Sequence, residues 1–258
     1  MMGGIGMIKA VAFDLGGTVH LCSTTPERKL WFAQRIVSRL GEYGIKLDVS
    51  PENLSRQLDI NAEIYKKDAE ATLREFDPTI VWNDYYLREQ NLGRETLAPV
   101  AEELSFLYDY ERVCNMRRPN LIETMDALKA QGLRLGMISN ILSRSIVPHF
   151  VMEYGLDRYF ECVLTSAGTG IRKPDPAIFR LAEQELGLRP EELAYVGDTL
   201  SRDVRGARAA GWRIVIQIYS PNAAKRDVGL AEQGWKADYN ITDLSEIPAI
   251  IAKENEIC

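Results

Sequence analysis

The chain has 258 residues, of which 46% are hydrophobic and 26% charged, a balance that excludes a disordered, collagen-like or disulfide-scaffold protein. Its 37 acidic residues outnumber the 31 basic ones, so the formal net charge of −6 provides no positive field to attract nucleic acid. A chain of this length can bury one large core, or a core and a smaller domain, without disulfides or structural metals.

Short apolar runs alternate with helical patterns along most of the chain, and each run has the length of a β-strand. The predicted strands are 8–13, 134–139, 162–165, 193–196, 213–219 and 238–241. Asp175, followed by Pro176, marks the start of one intervening helix, and Gly132 marks the end of another. Apolar strands that alternate with helices predict an α/β protein whose parallel sheet is covered by helices on both faces.

The stretch 22–112 interrupts this alternation, because it has helical periodicity and almost no strand signal. Thr24 and Glu27 form a capping-box pattern before one helix, and Ser50 precedes Pro51 at the start of another. A stretch of this length is too long for a loop. We therefore predict a core domain from 1–21 and 113–258, into which 22–112 is inserted as a separate all-helical domain.

Polar and charged side chains follow four of the predicted strands. They are Asp14 after the first strand, Ser139 and Asn140 after the second, Lys173 after the third, and Asp198 and Asp203 after the fourth. The carboxyl ends of parallel strands share one edge of the sheet, and ligands of open α/β sheets bind beyond that edge. We therefore expect the four segments to converge on one site.

The chemistry of these side chains suits a metal ion and a phosphate group. The three aspartates offer the oxygen ligands that Mg²⁺ prefers. Ser139 and Asn140 can donate hydrogen bonds to phosphate oxygens, and Lys173 adds a positive charge that holds the anion and keeps Asp14 ionised. An ionised Asp14 next to Mg²⁺ and a phosphoryl group is a nucleophile, and its attack gives an aspartyl-phosphate that water hydrolyses.

Four segments together resemble the motifs of the haloacid dehalogenase-like hydrolases, a superfamily made up mostly of phosphatases. The segments are FDLGGT at 13–18, ISN at 138–140, RKPDPAIF at 172–179 and GDTLSRDVRGARAAG at 197–211. The resemblance implies a Rossmann-like core, a helical cap domain inserted after the first motif, Mg²⁺ as cofactor and a small phosphorylated substrate. It leaves the identity of the substrate and the oligomeric state open.

The resemblance also implies a role for each matching residue. Asp14 is the nucleophile, and Lys173 takes part in catalysis and in holding the phosphate. The substrate-binding set is Thr18, Ser139, Asn140 and Lys173, and the metal-binding set is Asp14, Gly16, Asp198 and Asp203. Gly16 would contribute its backbone carbonyl oxygen.

The chain departs from the phosphatase pattern at Gly16, two residues after Asp14. Phosphatases of the superfamily normally carry a second aspartate there, which protonates the leaving oxygen and then activates water. General acid–base assistance contributes typically 10²–10⁴-fold to a rate, or about 3–5 kcal/mol of barrier, so its loss slows a reaction without abolishing it. His20 is the nearest alternative acid, although a packed histidine is the more common role at such a position.

Three alternatives to a phosphatase follow from the same departure. Haloacid dehalogenases lack the second aspartate and use no metal, but the intact GDTLSRD segment favours a bound cation here. Phosphonoacetaldehyde hydrolases use a cap lysine as a Schiff base, for which Lys46 and Lys66 are the nearest candidates. The third alternative is a catalytically weakened protein that binds a phosphorylated ligand through the same pocket.

The remaining sequence features concern the cellular compartment. The longest apolar runs, IKAVAF and RIVIQI, fall far short of the ~20 residues that span a bilayer, so no membrane helix is predicted. The first residues, MMGGIGM, lack the features of a secretion signal, and we expect a cytoplasmic protein. The four cysteines, Cys22, Cys114, Cys162 and Cys258, are widely spaced, which favours reduced thiols over disulfides or a zinc site.

Overall fold

The central element is a six-stranded parallel sheet, seen in a computed structural model that describes residues 6–257. Within these residues, eight strands occur in chain order: β1 Ala10–Phe13, β2 His20–Ser23, β3 Cys114–Arg117, β4 Arg134–Ser139, β5 Phe160–Thr165, β6 Leu193–Gly197, β7 Ile214–Ile218 and β8 Tyr239–Ile241. The sheet has the order β5-β4-β1-β6-β7-β8, and every neighbouring pair is parallel. The predicted α/β, Rossmann-like class is confirmed, and each predicted strand overlaps an observed one.

Helices of the core cover both faces of this sheet. They are α6 Leu121–Ala130, α7 Ile146–Glu153, α8 Ser166–Thr169, α9 Pro176–Leu186, α10 Arg205–Ala210, α11 Pro221–Arg226 and α12 Ile247–Glu256. One apolar cluster joins the sheet to α6, α7 and α12, and another joins it to α9 and α10. All residues of β1 and β6 are buried, because these two strands lie at the centre of the sheet and carry helices on both faces.

The segment between β2 and β3 is helical. It contains α1 Pro26–Glu42, α2 Pro51–Thr72, α3 Pro78–Ile80, α4 Arg94–Leu97 and α5 Ala101–Tyr110, with a π-helical stretch at Val81–Tyr86 and a 3₁₀ turn at Arg88–Gln90. Its apolar side chains form most of a third cluster, which includes the buried Trp82 and is joined by Leu142 from the loop after β4. The N–H of that indole donates a hydrogen bond to Ser105 Oγ at 2.9 Å, so the polar end of the ring is satisfied.

The helical segment begins after β2 and ends before β3, and these two strands pair as an antiparallel ribbon. Neither strand is predicted from the sequence. The boundaries of the core and cap domains remain a prediction, and the first five residues of the predicted core, together with Cys258, lie outside the described residues.

The N-cap residue predicted for α1, Thr24, is wrong by one residue. Thr25 caps α1 and accepts a hydrogen bond from the N–H of Arg28, whereas the hydroxyl of Thr24 donates to the carbonyl of Arg112 at 2.8 Å. Pro26 explains the shift, because its fixed φ suits the first helical position and the residue before a proline is extended. The caps predicted at Ser50 and Asp175 are confirmed.

Two further predictions concern the membrane and the cysteines. Among residues 6–257, no helix has both the length and the apolar character needed to cross a bilayer. Cys22, Cys114 and Cys162 are free thiols.

Candidate active site

The four predicted segments meet at the carboxyl edge of the sheet, around a cavity of about 180 Å³. Its walls include Asp14, Gly16, Ser139, Asn140, Lys173 and Asp203. Asp198 lines an adjoining cavity, and each of the three aspartates offers one oxygen within 4.8 Å of the others. Of the predicted site residues, Thr18 alone among the described ones lines neither cavity.

The turn after β1 brings Asp14 and Asp198 together. The N–H of Asp14 donates to the carbonyl of Val196 at 2.9 Å, so the chain still follows β6 at this point. Gly17 then adopts φ +89°, and a Cβ at this position would lie 1.9 Å from Asp198 Oδ2. Only glycine fits, because the position needs both the left-handed conformation and the space that a side chain would fill.

Lys173 is the cation at the centre of the site. Its Nζ lies 2.7 Å from Asp14 Oδ1, 2.6 Å from Asp203 Oδ1, 2.8 Å from the carbonyl oxygen of Ile138 and 2.7 Å from the hydroxyl of Tyr195. The ammonium is buried, and charge-assisted hydrogen bonds of this kind offset the cost of removing it from water. These contacts fix the positive charge against the nucleophile predicted from the sequence.

Asn140 holds the backbone of Lys173 in place. Its side-chain oxygen accepts the N–H of Lys173 at 2.9 Å, and its side-chain NH₂ donates to the carbonyl of Lys173 at 2.9 Å. This pair of bonds couples the loop after β4 to the third motif. The side-chain amide of Asn140, which is predicted to bind phosphate, therefore already makes two hydrogen bonds within the protein.

The side chain of Ser139, unlike that of Asn140, makes no hydrogen bond to the described residues. Its residue is buried, it lines the cavity, and its hydroxyl has no hydrogen-bond partner among the described residues. The hydroxyl of Thr18 is likewise buried and unpartnered, but it lies outside both cavity walls. The geometry thus makes Ser139 available to a ligand in the cavity.

The pKa values of the three aspartates are shifted differently because their surroundings differ. Burial raises the pKa of Asp14 above its ordinary value, although Lys173 opposes this shift. Burial and the neighbouring carboxylates raise the pKa of Asp198 to about 7. Burial also acts to raise that of Asp203, but Lys173, Arg202 and a hydrogen bond from Thr199 outweigh it and lower the pKa to about 2.

Asp198 carries the clearest sign of a cation site. Ser220 donates to its Oδ2 at 2.6 Å, whereas its buried Oδ1 has no partner among the described residues. The carbonyl oxygen of Gly16 likewise accepts no hydrogen bond within 6–257. A hard divalent cation binds such oxygens, so the donor set fits Mg²⁺. Asp203 is different, because Lys173 and Thr199 already occupy its two oxygens.

His20 lines the cavity, but its contacts are those of a packed ring. Its Nδ1 is hydrogen-bonded to the hydroxyl of Tyr154 at 3.1 Å, and its ring packs edge-on against Phe150. Burial lowers its pKa to about 4, so the ring is neutral at neutral pH. A neutral imidazole with such a pKa is a poor general acid.

Four other residues at the site were missed by the sequence analysis. They are Asp109 and Arg202 in the cavity wall, Tyr195 beneath Lys173, and Arg118, which donates to the carbonyl of Gly17 at 2.6 Å. Tyr195 could have been found from the sequence, because it lies within the buried run LAYVG, where its hydroxyl needs a hydrogen-bond partner. Asp109 and Arg118 gave no such signal, because the contacts that define them join distant parts of the chain.

The geometry defines a cavity lined by aspartates and a lysine at the sheet edge of an α/β fold, and comparisons with known proteins identify the family. Residues 8–211 match the family model described as haloacid dehalogenase-like hydrolase. The chain belongs to this family, and the resemblance stated from its four motifs is confirmed.

One relative and two solved structures illustrate the likeness. A glyceraldehyde 3-phosphate phosphatase of Methanopyrus kandleri is 31% identical over 205 residues, which cover 80% of this chain and 82% of that protein. A haloacid dehalogenase-like (HAD) phosphatase from Thermococcus onnurineus aligns with TM-score 0.60 and 25% identity, covering 95% of this chain and 98% of that one. A 2-haloacid dehalogenase from Pseudomonas syringae pv. tomato aligns with TM-score 0.63 and 26% identity, with coverages of 96% and 99%. The fold alone therefore does not separate phosphatases from dehalogenases.

Proposed function

We propose that the chain is a cytoplasmic, Mg²⁺-dependent phosphatase that hydrolyses a small phosphorylated metabolite through an aspartyl-phosphate on Asp14. The observation that carries the proposal is the buried Oδ1 of Asp198 beside Asp14, which has no hydrogen-bond partner among the described residues and suits a cation. The relative from Methanopyrus kandleri, named as a phosphatase, supports the same reaction class. The described cysteines are free thiols, as expected in a reducing compartment.

The size of the cavity favours a compact substrate. Its volume of about 180 Å³ is below the roughly 300–1,000 Å³ of pockets that hold drug-sized ligands. A phosphate group with a short carbon chain or a small sugar is of the appropriate class. Arg202 in the cavity wall adds a guanidinium that has no hydrogen-bonded or ion-paired partner among the described residues and can attract an anion.

Each side chain has a distinct task in this mechanism. Asp14 attacks phosphorus with its carboxylate oxygen, and Lys173 offsets negative charge on the phosphoryl oxygens. Ser139 donates its free hydroxyl to a phosphoryl oxygen, while Asn140 keeps the backbone of Lys173 in place. Thr18 was also predicted to bind the substrate, but it lines neither cavity, and we assign it no contact with the phosphate.

The metal would be held by the carboxylates of Asp14 and Asp198 and by the carbonyl of Gly16. When bound, Mg²⁺ would neutralise charge and withdraw electron density from the phosphoryl oxygens. Asp203, predicted as a further metal ligand, is hydrogen-bonded to Lys173 and Thr199, and we assign it the role of orienting the lysine.

We also propose that 22–112 acts as a cap domain over the core formed by 1–21 and 113–258. The apolar cluster of the helical segment, to which the core contributes Leu142 as a buried member, supports this division. So does the position of Tyr108 and Asp109, which extend from α5 into the wall of the cavity. A cap of this kind excludes water from the reaction and selects the leaving group.

The Schiff-base alternative finds no support at the cavity. Among the described residues that line it, lysine occurs once, as Lys173, and its ammonium already has four hydrogen-bond partners. Lys46 and Lys66 do not line the cavity, and Lys66 pairs with Glu63.

Phosphate release in the presence and absence of Mg²⁺ tests the proposal. We expect Mg²⁺-dependent hydrolysis of p-nitrophenyl phosphate and of at least one member of a panel of sugar, nucleotide and short-chain phosphates. Chelation should abolish release, and Asp14→Asn should do the same. Phosphate binding without turnover would favour the weakened binding protein, and metal-independent halide release from a 2-haloacid would favour the dehalogenase.

A further inference from the structure

Position 16 leaves the site without the carboxyl group that a phosphatase of this family normally uses as acid and base. A Cβ built on Gly16 would meet a single described neighbour within 4 Å, Cys22 Sγ at 3.9 Å, so the side-chain position opens into the cavity. The leaving oxygen of a phosphate ester still needs a proton as its bond to phosphorus breaks. Another group in the cavity wall is therefore required for substrates with poor leaving groups.

Asp109 is a carboxyl group placed in that wall by the helical segment. It lies near the end of α5, and its Oδ2 accepts the backbone N–H groups of Leu142 at 3.1 Å and Ser143 at 3.0 Å. These two residues follow Asn140, so Asp109 is fixed to the same loop that forms the phosphate side of the cavity. Its Oδ1 has no hydrogen-bond partner among the described residues, and the side chain is partly exposed at the cavity.

We propose that Asp109 is the general acid and base of this site and replaces the carboxyl group that Gly16 lacks. The inference rests on the proposed phosphatase function. As the bond from Asp14 to phosphorus forms and the ester bond breaks, the carboxyl of Asp109 gives its proton to the leaving oxygen. The resulting carboxylate then takes a proton from the water that attacks phosphorus, which releases phosphate and regenerates both aspartates.

The charges around Asp109 allow it to carry a proton near neutral pH. Burial, together with Glu75 and Glu102, raises its pKa to about 7, although the two backbone N–H groups oppose this shift. An acid works best when its pKa lies near the operating pH. Asp198 has a raised pKa in the same range, so a pH profile alone cannot assign the acid and a leaving-group series is needed.

The other ionisable groups near position 16 are poor substitutes. His20 is neutral and packed, as described above. Burial and the nearby carboxylates raise the pKa of Cys22 to about 12, and its S–H donates to the side-chain oxygen of Asn115 at 3.3 Å. A thiol that is held in its protonated form by such surroundings releases its proton only with difficulty.

A leaving-group series with Asp109→Asn tests the role. Asparagine keeps an oxygen that can accept the two backbone N–H groups, but it cannot transfer a proton. We expect kcat to fall by about 10²-fold or more on alkyl phosphates such as glycerol phosphate, the range expected for a lost general acid. The loss should be severalfold at most on p-nitrophenyl phosphate, whose leaving group needs no proton.

Glu102→Gln is the matched control. Glu102 lies on the same helix and accepts hydrogen bonds from Ser143 Oγ at 2.8 Å and Ser145 N at 3.2 Å, but it does not line the cavity. If Asp109 only anchors this loop, each variant should lower activity by the same factor on every leaving group. Equal losses for Asp109→Asn across the series would overturn the proposal.

A second variant restores the family's own acid. The space around Gly16 accepts a side chain, so Gly16→Asp places a carboxyl group directly beside Asp14. In that background Asp109→Asn should cost much less on alkyl phosphates than it does in the natural chain. If the double variant is as slow as Asp109→Asn alone, the proposal fails. A natural chain without any phosphatase activity would instead remove the proposed function itself.

Discussion

Removal of the Tyr195 hydroxyl tests how securely Lys173 is held. The ammonium has three N–H donors and four acceptors within 2.6–2.8 Å, so it still has three acceptors after Tyr195→Phe. The phenylalanine ring keeps the aromatic contacts with Phe179 and Trp212, whose centroids lie 5.0 and 5.8 Å away. The hydroxyl accepts from Lys173 and donates its own hydrogen to the carbonyl of Ile138 or to Asp203 Oδ1, each at 3.1 Å. The change therefore deletes two hydrogen bonds without leaving a buried charge unpaired.

We expect this variant to lose about 2 kcal/mol of unfolding free energy, the net value of two intramolecular hydrogen bonds. For a chain of this size that loss lowers Tm by roughly 4–8 °C. Urea unfolding followed by circular dichroism measures the difference. Tyr239→Phe, which removes a surface hydroxyl bonded to Glu254, is the control and should change stability by about 0.5 kcal/mol or less. A loss of about 5 kcal/mol or more would mean that Lys173 is not satisfied by its other acceptors.

Three further predictions address the cavity wall and the contact between the helical segment and the core. Glu75→Gln should cost about 3–5 kcal/mol in urea unfolding, because it leaves the buried Arg172 without its carboxylate. Arg202→Met should raise KM for phosphate esters by roughly 10- to 100-fold in steady-state kinetics, because one charge-assisted contact to the anion is lost. Iodoacetamide at pH 8, followed by mass spectrometry, should label the exposed Cys114 well before Cys22.

The sheet and most of the site could be predicted because their signals are local. Each apolar run predicts one strand, and parallel strands place their carboxyl ends at one edge, so Asp14, Lys173 and Asp198 converge for topological reasons. The ribbon of β2 and β3 could not be predicted, since its strands have four residues each and β3 is mostly exposed. Short strands without a buried face lack the alternation that marks a strand.

The parts of the site that the sequence did not predict depend on contacts between distant elements. Asp109 becomes a cavity residue because α5 packs against the loop after β4, and nothing near Asp109 in the sequence indicates that contact. Asn140 was expected to bind phosphate through its side chain, but the amide instead brackets the backbone of Lys173. Side-chain hydrogen bonds of this kind follow from tertiary packing and not from local propensity.

The central claim is that Asp14 accepts the phosphoryl group, and acid quenching during turnover tests it most directly. After digestion, mass spectrometry should find one phosphoryl group on the peptide that contains Asp14 in the natural chain. Asp14→Asn should show neither the modified peptide nor phosphate release. Phosphate release by Asp14→Asn at the natural rate, or a phosphoryl group on a different side chain, would contradict the account.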